Sequence, residues 1–289
     1  MRLPFRSLLL TLVFACSAFA QVNPEWTTNR APFRVIGNVY YVGSKDLASF
    51  LITTPQGHIL INSNLASSVP MIRRNVEALG FRFSDIKILL ISHAHFDHAA
   101  GSAEIKRLTH ARYMVMDADV PVVESGGRDD FALGNKTEYR FPETKVDRVL
   151  HDGDTVRLGN ALLVAHLTPG HTKGCTTWTM KVSEGGRVYN VVIVGSATFL
   201  SSYKLVGDPA YPKMAQDFEL TFRTLKALPC DVFLGAHGSY YGMLRKFDEM
   251  KAGTANPFID PAGYQSYVAE TDQKFLAELA KQSAAGHRE

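Results

Sequence analysis

Ser92-His93-Ala94-His95-Phe96-Asp97-His98 stands between a continuous apolar run, Ile86–Ile91, and a stretch of small residues, Ala99-Ala100-Gly101. The apolar run suits a fully buried strand. On the other side of the motif, Ala99–Leu108 reads as a helix. Side chains on a strand repeat every second residue, so His93 and His95 point the same way at its end. The turn then carries Asp97 and His98 round from the helix side. Imidazoles with a carboxylate suit zinc and other borderline divalent ions. Left unpaired in an apolar setting, each such group costs roughly 1–3 kcal/mol, which disfavours a purely structural role for the cluster.

Two further histidines have matching surroundings. His171 lies in Leu167-Thr168-Pro169-Gly170-His171-Thr172, after a strand-like Leu162–His166. His237 lies in Leu234-Gly235-Ala236-His237-Gly238, after a strand-like Asp231–Leu234. Each is a loop histidine beside a glycine at a strand end, where sites gather on a rigid scaffold. His58, His110, His151, His166 and His287 lack such a setting and read as structural or surface residues.

Outward from these loops, strand-like and helix-like stretches alternate. Phe33–Val42 reads as extended, and Phe50–Ile61 as a hairpin turning at Thr54-Pro55-Gln56-Gly57. Val69–Leu79 has apolar residues at helical spacing, with Ser67 or Ser68 as the candidate cap. Arg112–Met116 reads as a strand, Glu124–Lys145 as a polar loop region. Val156–Leu158, Thr176–Val182 and Val188–Val194 read as further strands. Tyr211–Leu228 reads as a helix with Pro212 in its first turn, and Tyr264–Gln282 as a terminal helix. Two such halves packed sheet on sheet with helices outside make an α/β layer architecture. One domain over residues 21–289 is expected.

The chain has 289 residues, 46% hydrophobic and 20% charged, which excludes wholesale disorder. A net charge of +3 gives no footprint for nucleic acid. Arg2 and Arg6, the apolar Leu8–Phe14 and Ala18-Phe19-Ala20 have the order of a secretory signal peptide cleaved after Ala20. Without those two arginines the formal charge falls from +3 to +1. A lipoprotein site at Cys16 is the rival reading, which the bulky Phe14 fits poorly. No later apolar stretch is long enough to span a bilayer. The expected product is a periplasmic monomer with two cysteines, Cys175 and Cys230, whose pairing the sequence leaves open.

The His-x-His-x-Asp-His motif of His93–His98, with Gly170-His171-Thr172 and Gly235-Ala236-His237-Gly238, resembles the metallo-β-lactamase superfamily. The resemblance runs from about Trp26 to the C-terminus. It implies a four-layer αββα sandwich with a dinuclear metal site. It does not settle the substrate, since thioesterases, lactonases and sulfatases look similar. Glyoxalase-II-like and lactonase-like members usually carry a metal-bridging aspartate in a Gly-Asp pair after a later strand. Here that strand is Val191–Val194 and the pair reads Gly195-Ser196. Serine at this place, with an intact His98, resembles the third subclass of class B β-lactamases. Pro169-Gly170-His171-Thr172, Leu228-Pro229-Cys230-Asp231 and Tyr211-Pro212 also look like that subclass.

By that resemblance, one Zn2+ is held by His93, His95 and His171, and a second by Asp97, His98 and His237. Each ion keeps an open position, as catalytic zinc requires. The implied reaction is hydrolysis of the β-lactam ring amide by a zinc-bridging hydroxide, formed because zinc lowers the pKa of bound water to roughly 7. Asp97 would both ligate and orient that nucleophile. Ser196, with Thr198, would bind the carboxylate of the small-molecule substrate. Loops at Gly153-Asp154 and Glu124–Phe131 are expected near the site. Ser201-Ser202-Tyr203-Lys204 matches Ser-x-x-Lys, but no Ser-Asp-Asn or Lys-Thr-Gly element accompanies it. Two alternatives remain: a dinuclear hydrolase of a lactone or thioester, and a non-catalytic periplasmic zinc-binding protein.

Overall fold

A computed structural model describes residues 23–253 and 255–286. The signal-peptide reading, its cleavage after Ala20 and His287 lie outside the described residues. Strands β1 (Phe33–Ile36), β2 (Val39–Tyr41), β3 (Phe50–Thr54), β4 (Gly57–Ile61), β5 (Ile86–Leu90), β6 (Arg112–Met116) and β7 (Arg148–Leu150) lie side by side in chain order. β1 to β4 pair antiparallel; from β4 to β7 the pairing is parallel. The second sheet holds β8 (Thr155–Leu158), β9 (Ala161–Leu167), β10 (Thr176–Glu184), β11 (Arg187–Val194) and β12 (Val232–Gly235). Its spatial order is β12-β11-β10-β9-β8, with only β11 and β12 parallel.

Period-two alternation sorts the first sheet's side chains between two cores. Phe50, Ile52, Ile59, Ile61, Ile88 and Leu90 face the second sheet, in the same core as Trp178 and Leu163. Leu51, Leu60 and Leu89 face the other way, onto α2 (Val69–Ala78) and α4 (Ser102–Thr109) through Val69, Ile72, Val76 and Ile105. The four consecutive residues Val191–Val194 are all buried, as a strand covered on both faces requires. Their outer cover comes from α6 (Met214–Ala227) and α8 (Pro261–Gly286), joined by Phe275 against Phe218 and Phe222 at 5.3 and 5.5 Å between ring centroids. The layers are therefore helix, sheet, sheet, helix. Shorter helices complete the chain: α1 (Pro24–Thr27), α3 (Phe96–Ala99), α5 (Val120–Glu124) and α7 (Met243–Lys251).

Several boundaries differ from the sequence reading, each for a local reason. Phe33–Val42 is a hairpin, because Gly37 at φ +50° turns the chain and sets Phe33 opposite Tyr41. Ala99–Leu108 is split between α3 and α4, since the Gly101 N–H donates instead to the Asn64 carbonyl at 3.0 Å. Pro212 precedes α6, which starts at Met214, and so is not in its first turn. Ser68 occupies the cap position of α2 without a side-chain bond, because a 3-10 turn over Ala66–Ser68 already feeds it in helical conformation. Helices α1, α5 and α7 and strand β7 are additional to the elements read from the sequence. Among the described residues, no helix is long and apolar enough to cross a membrane.

Candidate metal centre

The motif leaves β5 at the carboxyl end of the parallel strands. Asn62 and Asn64, both in the left-handed region (φ 68° and 56°), form a cradle beneath it. Asn62 Oδ1 accepts from Ser92 N at 2.7 Å. Ser63 donates to the His98 carbonyl through both its N–H and its hydroxyl, each at 3.0 Å. Asparagine is among the few non-glycine residues that tolerate this backbone region, so Asn-x-Asn after a strand was a readable signal. His171 is aimed by a neighbour that cannot be enlarged: a Cβ on Gly170 (φ +125°) would sit 2.7 Å from the Phe218 ring.

His93, His95 and His171 converge, all buried, with candidate ligand atoms within 4.8 Å of one another. His93, Asp97 and His98 form a second such group, and the His93 and His98 rings lie only 4.2 Å apart. His237 joins from the second sheet. Its Nε2 lies 3.1 Å from His98 Nε2 and 3.5 Å from Asp97 Oδ2, while His98 Nε2 lies 3.3 Å from the same oxygen. Ligand bonds of roughly 2.0–2.1 Å place tetrahedral neighbours about 3.3 Å apart. That triangle is thus one face of a zinc-sized coordination shell. The buried Nε2 of His93 has no hydrogen-bond partner, as a nitrogen reserved for a cation would not. These donors fit a pair of divalent ions.

The opposite ring nitrogens of His93, His171 and His237 have hydrogen-bond partners, as metal-binding imidazoles usually do. That of His95 only faces a carboxylate, and buried His98 Nδ1 has no partner. His171 Nδ1 donates to the Thr198 carbonyl at 2.8 Å, and His237 Nδ1 to Asp46 Oδ2 at 2.9 Å. His93 Nδ1 lies 3.2 Å from Ser92 Oγ, and His95 Nε2 3.5 Å from Asp130 Oδ2. Burial, then the neighbouring imidazoles, holds His93 well below the usual histidine range. Burial also lowers His98, and it brings His171 down to about 3. Neutral imidazole is the form that binds a metal. Burial would raise Asp97, but His98 and His237 outweigh it and keep the carboxylate ionised.

A family model for the metallo-β-lactamase superfamily matches residues 47–237. The chain belongs to the metallo-β-lactamase superfamily. The native FEZ-1 metallo-β-lactamase from Legionella gormanii is 52% identical, with a TM-score of 0.88 over 89% of this chain and 98% of that one. BJP-1, a subclass B3 metallo-β-lactamase of Bradyrhizobium japonicum, is 41% identical with a TM-score of 0.85, covering 91% and 98%. The class B3 di-zinc metallo-β-lactamase LRA-12 from an Alaskan soil metagenome is 36% identical with a TM-score of 0.84, covering 88% and 96%. A curated "Probable metallo-hydrolase" of Burkholderia pseudomallei is 29% identical over 142 residues, which is 48% of this chain and 45% of that protein. A hydroxyacylglutathione hydrolase of Methylobacterium is 30% identical over 113 residues, 39% of this chain and 36% of that protein. The chain matches less than half the length of these two curated relatives.

On this metallo-β-lactamase scaffold, three buried carboxylates escaped the sequence reading: Asp46, Asp119 and Asp130. Asp130 lies within the loop expected near the site, whereas Gly153 and Asp154 make a turn bonded to Ala165 and His151. Asp119 accepts from Ala94 N, Thr172 Oγ1 and Gly174 N, each at 2.8 Å. It ties the His93–His98 segment to the His171 loop. Burial pushes it up to about 6, against the pull of those three donors. Nothing in Asp117-Ala118-Asp119 marks it, because its partners are distant in sequence. Asp119→Ala would strand three buried donors. The expected loss is about 3 kcal/mol or more, read as a lower urea midpoint; an unchanged midpoint would refute the clamp.

Ser196 Oγ lies 3.1 Å from Thr198 Oγ1 and 3.3 Å from Tyr240 Oη, beside the cluster. Thr198 has a second task, since its carbonyl orients His171. Cys175 and Cys230 are both free thiols. His58, His110, His151 and His166 stand outside both ligand groups; His166 bonds Thr179 and His151 lies against Asp117. Ser201 and Lys204 are both exposed.

Proposed function

We propose that this chain is a zinc-dependent β-lactamase that opens the ring amide of β-lactam antibiotics and so confers resistance to them. The observation that carries this reading is the convergence of six ligand-type side chains beside Ser196. His93, His95 and His171 would hold one zinc ion; Asp97, His98 and His237 would hold the second. When bound, such ions supply a nucleophile ionised near neutral pH and polarise the carbonyl under attack. The protein's share is orientation. Thr198, Asp46, Asp130 and Ser92 fix the imidazole rings, and Asp97 Oδ2 stands between His98 and His237 as an ionised ligand. The Ser196 and Thr198 hydroxyls form an adjacent pair suited to a substrate carboxylate.

A hydrolysis panel on purified protein tests the reading. Turnover of a penicillin, a cephalosporin or a carbapenem, abolished by EDTA and restored by zinc, is expected. Turnover of a thioester or lactone with none of any β-lactam would replace it with the related-hydrolase reading. The hydroxyl of Ser196, in place of a bridging carboxylate, speaks against that alternative. Two zinc ions bound without any turnover would favour sequestration instead. Ser196→Ala is expected to raise KM about 10-fold, the worth of one charge-assisted hydrogen bond, with a smaller change in kcat. An unaltered KM would remove Ser196 from substrate binding.

We further propose that the protein is exported to the periplasm and acts there as a monomer. The order of charge, apolar core and small residues in the first twenty positions supports export with cleavage after Ala20. Mass spectrometry of the exported protein tests this, with Gln21 expected as its first residue.

A further inference from the structure

Asp46 Oδ2 carries two donors. One is His237 Nδ1 at 2.9 Å; the other is the indole Nε1 of Trp26 at 3.0 Å. Trp26 lies on α1, a four-residue turn of helix with no buried residue. Its ring also rests on the His237 ring, 5.7 Å between centroids. The chain's other tryptophan shows what a core residue looks like here: Trp178 is 1% exposed and donates to a backbone carbonyl, that of Ile91. Trp26 instead spends its single donor on the oxygen that aims a metal-site imidazole. The rest of Asp46 is already fixed, with Oδ1 accepting from Ser239 N at 2.9 Å. The indole N–H adds a third donor to the carboxylate and, from a direction of its own, helps to fix the plane in which Oδ2 meets His237.

We infer that Trp26 is a positioning residue for the second metal site, holding His237 in register with His98 and Asp97 through Asp46. This rests on the two-ion reading above. Partners one shell out from a metal typically contribute about 10–100-fold in affinity. Trp26→Phe keeps a ring against His237 and loses the N–H; Trp26→Ala loses both.

The test is titration of the metal-free proteins with zinc in competition with a chromogenic chelator, with melting of the metal-free forms in parallel. In both variants one ion should bind as in the wild type and the other more weakly. The expected loss is about 10-fold in Trp26→Phe and up to about 100-fold in Trp26→Ala, with the metal-free melting temperatures unchanged. Wild-type affinity for both ions in Trp26→Phe would overturn the inference, whatever Trp26→Ala does, because the N–H would then be dispensable. Equal weakening of both ions with a lower metal-free melting temperature would overturn it too, by making Trp26 merely structural. A wild-type protein that binds no second ion would bring down the two-ion reading and this inference with it.

Discussion

His93→Ala and His237→Ala are each expected to leave a folded protein that has lost more than about 100-fold of its β-lactam hydrolysis. The bound rests on a comparison: removing a partner one shell out costs about 10–100-fold, and these residues touch the ion itself. The two variants should nevertheless differ. His93 is common to both converging groups, and its unpartnered Nε2 points into the cluster. Its loss should weaken the first ion directly and, by opening space beside the His98 ring 4.2 Å away, the second ion to a smaller degree. His237 completes one triangle only, so its variant should keep one ion at wild-type affinity. Metal content by mass spectrometry alongside initial rates distinguishes the two. Wild-type turnover by either variant with zinc present would defeat the ligand assignment.

Chelation is expected to have the second largest effect, and on stability as well as activity. An ion that binds only the folded chain stabilises it by about 4 kcal/mol at a thousand-fold excess over its Kd. For a chain of this size that corresponds to a melting shift on the order of 10 °C. The metal-free protein also keeps imidazoles packed at ring separations of 4.2–5.0 Å, with a buried His93 nitrogen unsatisfied. EDTA should therefore abolish hydrolysis and lower the melting temperature by roughly that amount. Zinc, added back, should restore both. A melting temperature indifferent to EDTA would mean that the cluster holds no ion tightly.

Much of this was legible from side-chain type and order. The buried run Ile86–Ile91 and the ligands behind it announced a strand-end metal site, and His171 and His237 were found through their glycines and strand ends. What escaped was what depends on distance in the chain. Asp46 and Asp119 are ordinary acids in their own segments and become clamps only when loops 191 and 55 residues away arrive. Trp26 carries no local sign of its bond to Asp46, which lies 20 residues away. α7 did carry a local signal, since Met243, Leu244, Phe247 and Met250 recur at helical spacing among five charged residues, with Met243, Lys246 and Phe247 buried. The break between α3 and α4 depends on a backbone bond to Asn64 that no local pattern records.

His98 and His237, whose nitrogens lie 3.1 Å apart, are separated by 139 residues and belong to loops of different sheets. A growing polypeptide emerging N-terminus first holds the His93–His98 segment long before His237 exists. Until β12 docks beside β11, an ion meets at most part of its final cage. Loading of the complete pair is therefore a late event in maturation. Shortening the chain before residue 237 would forfeit it, even with the rest of the ligands in place.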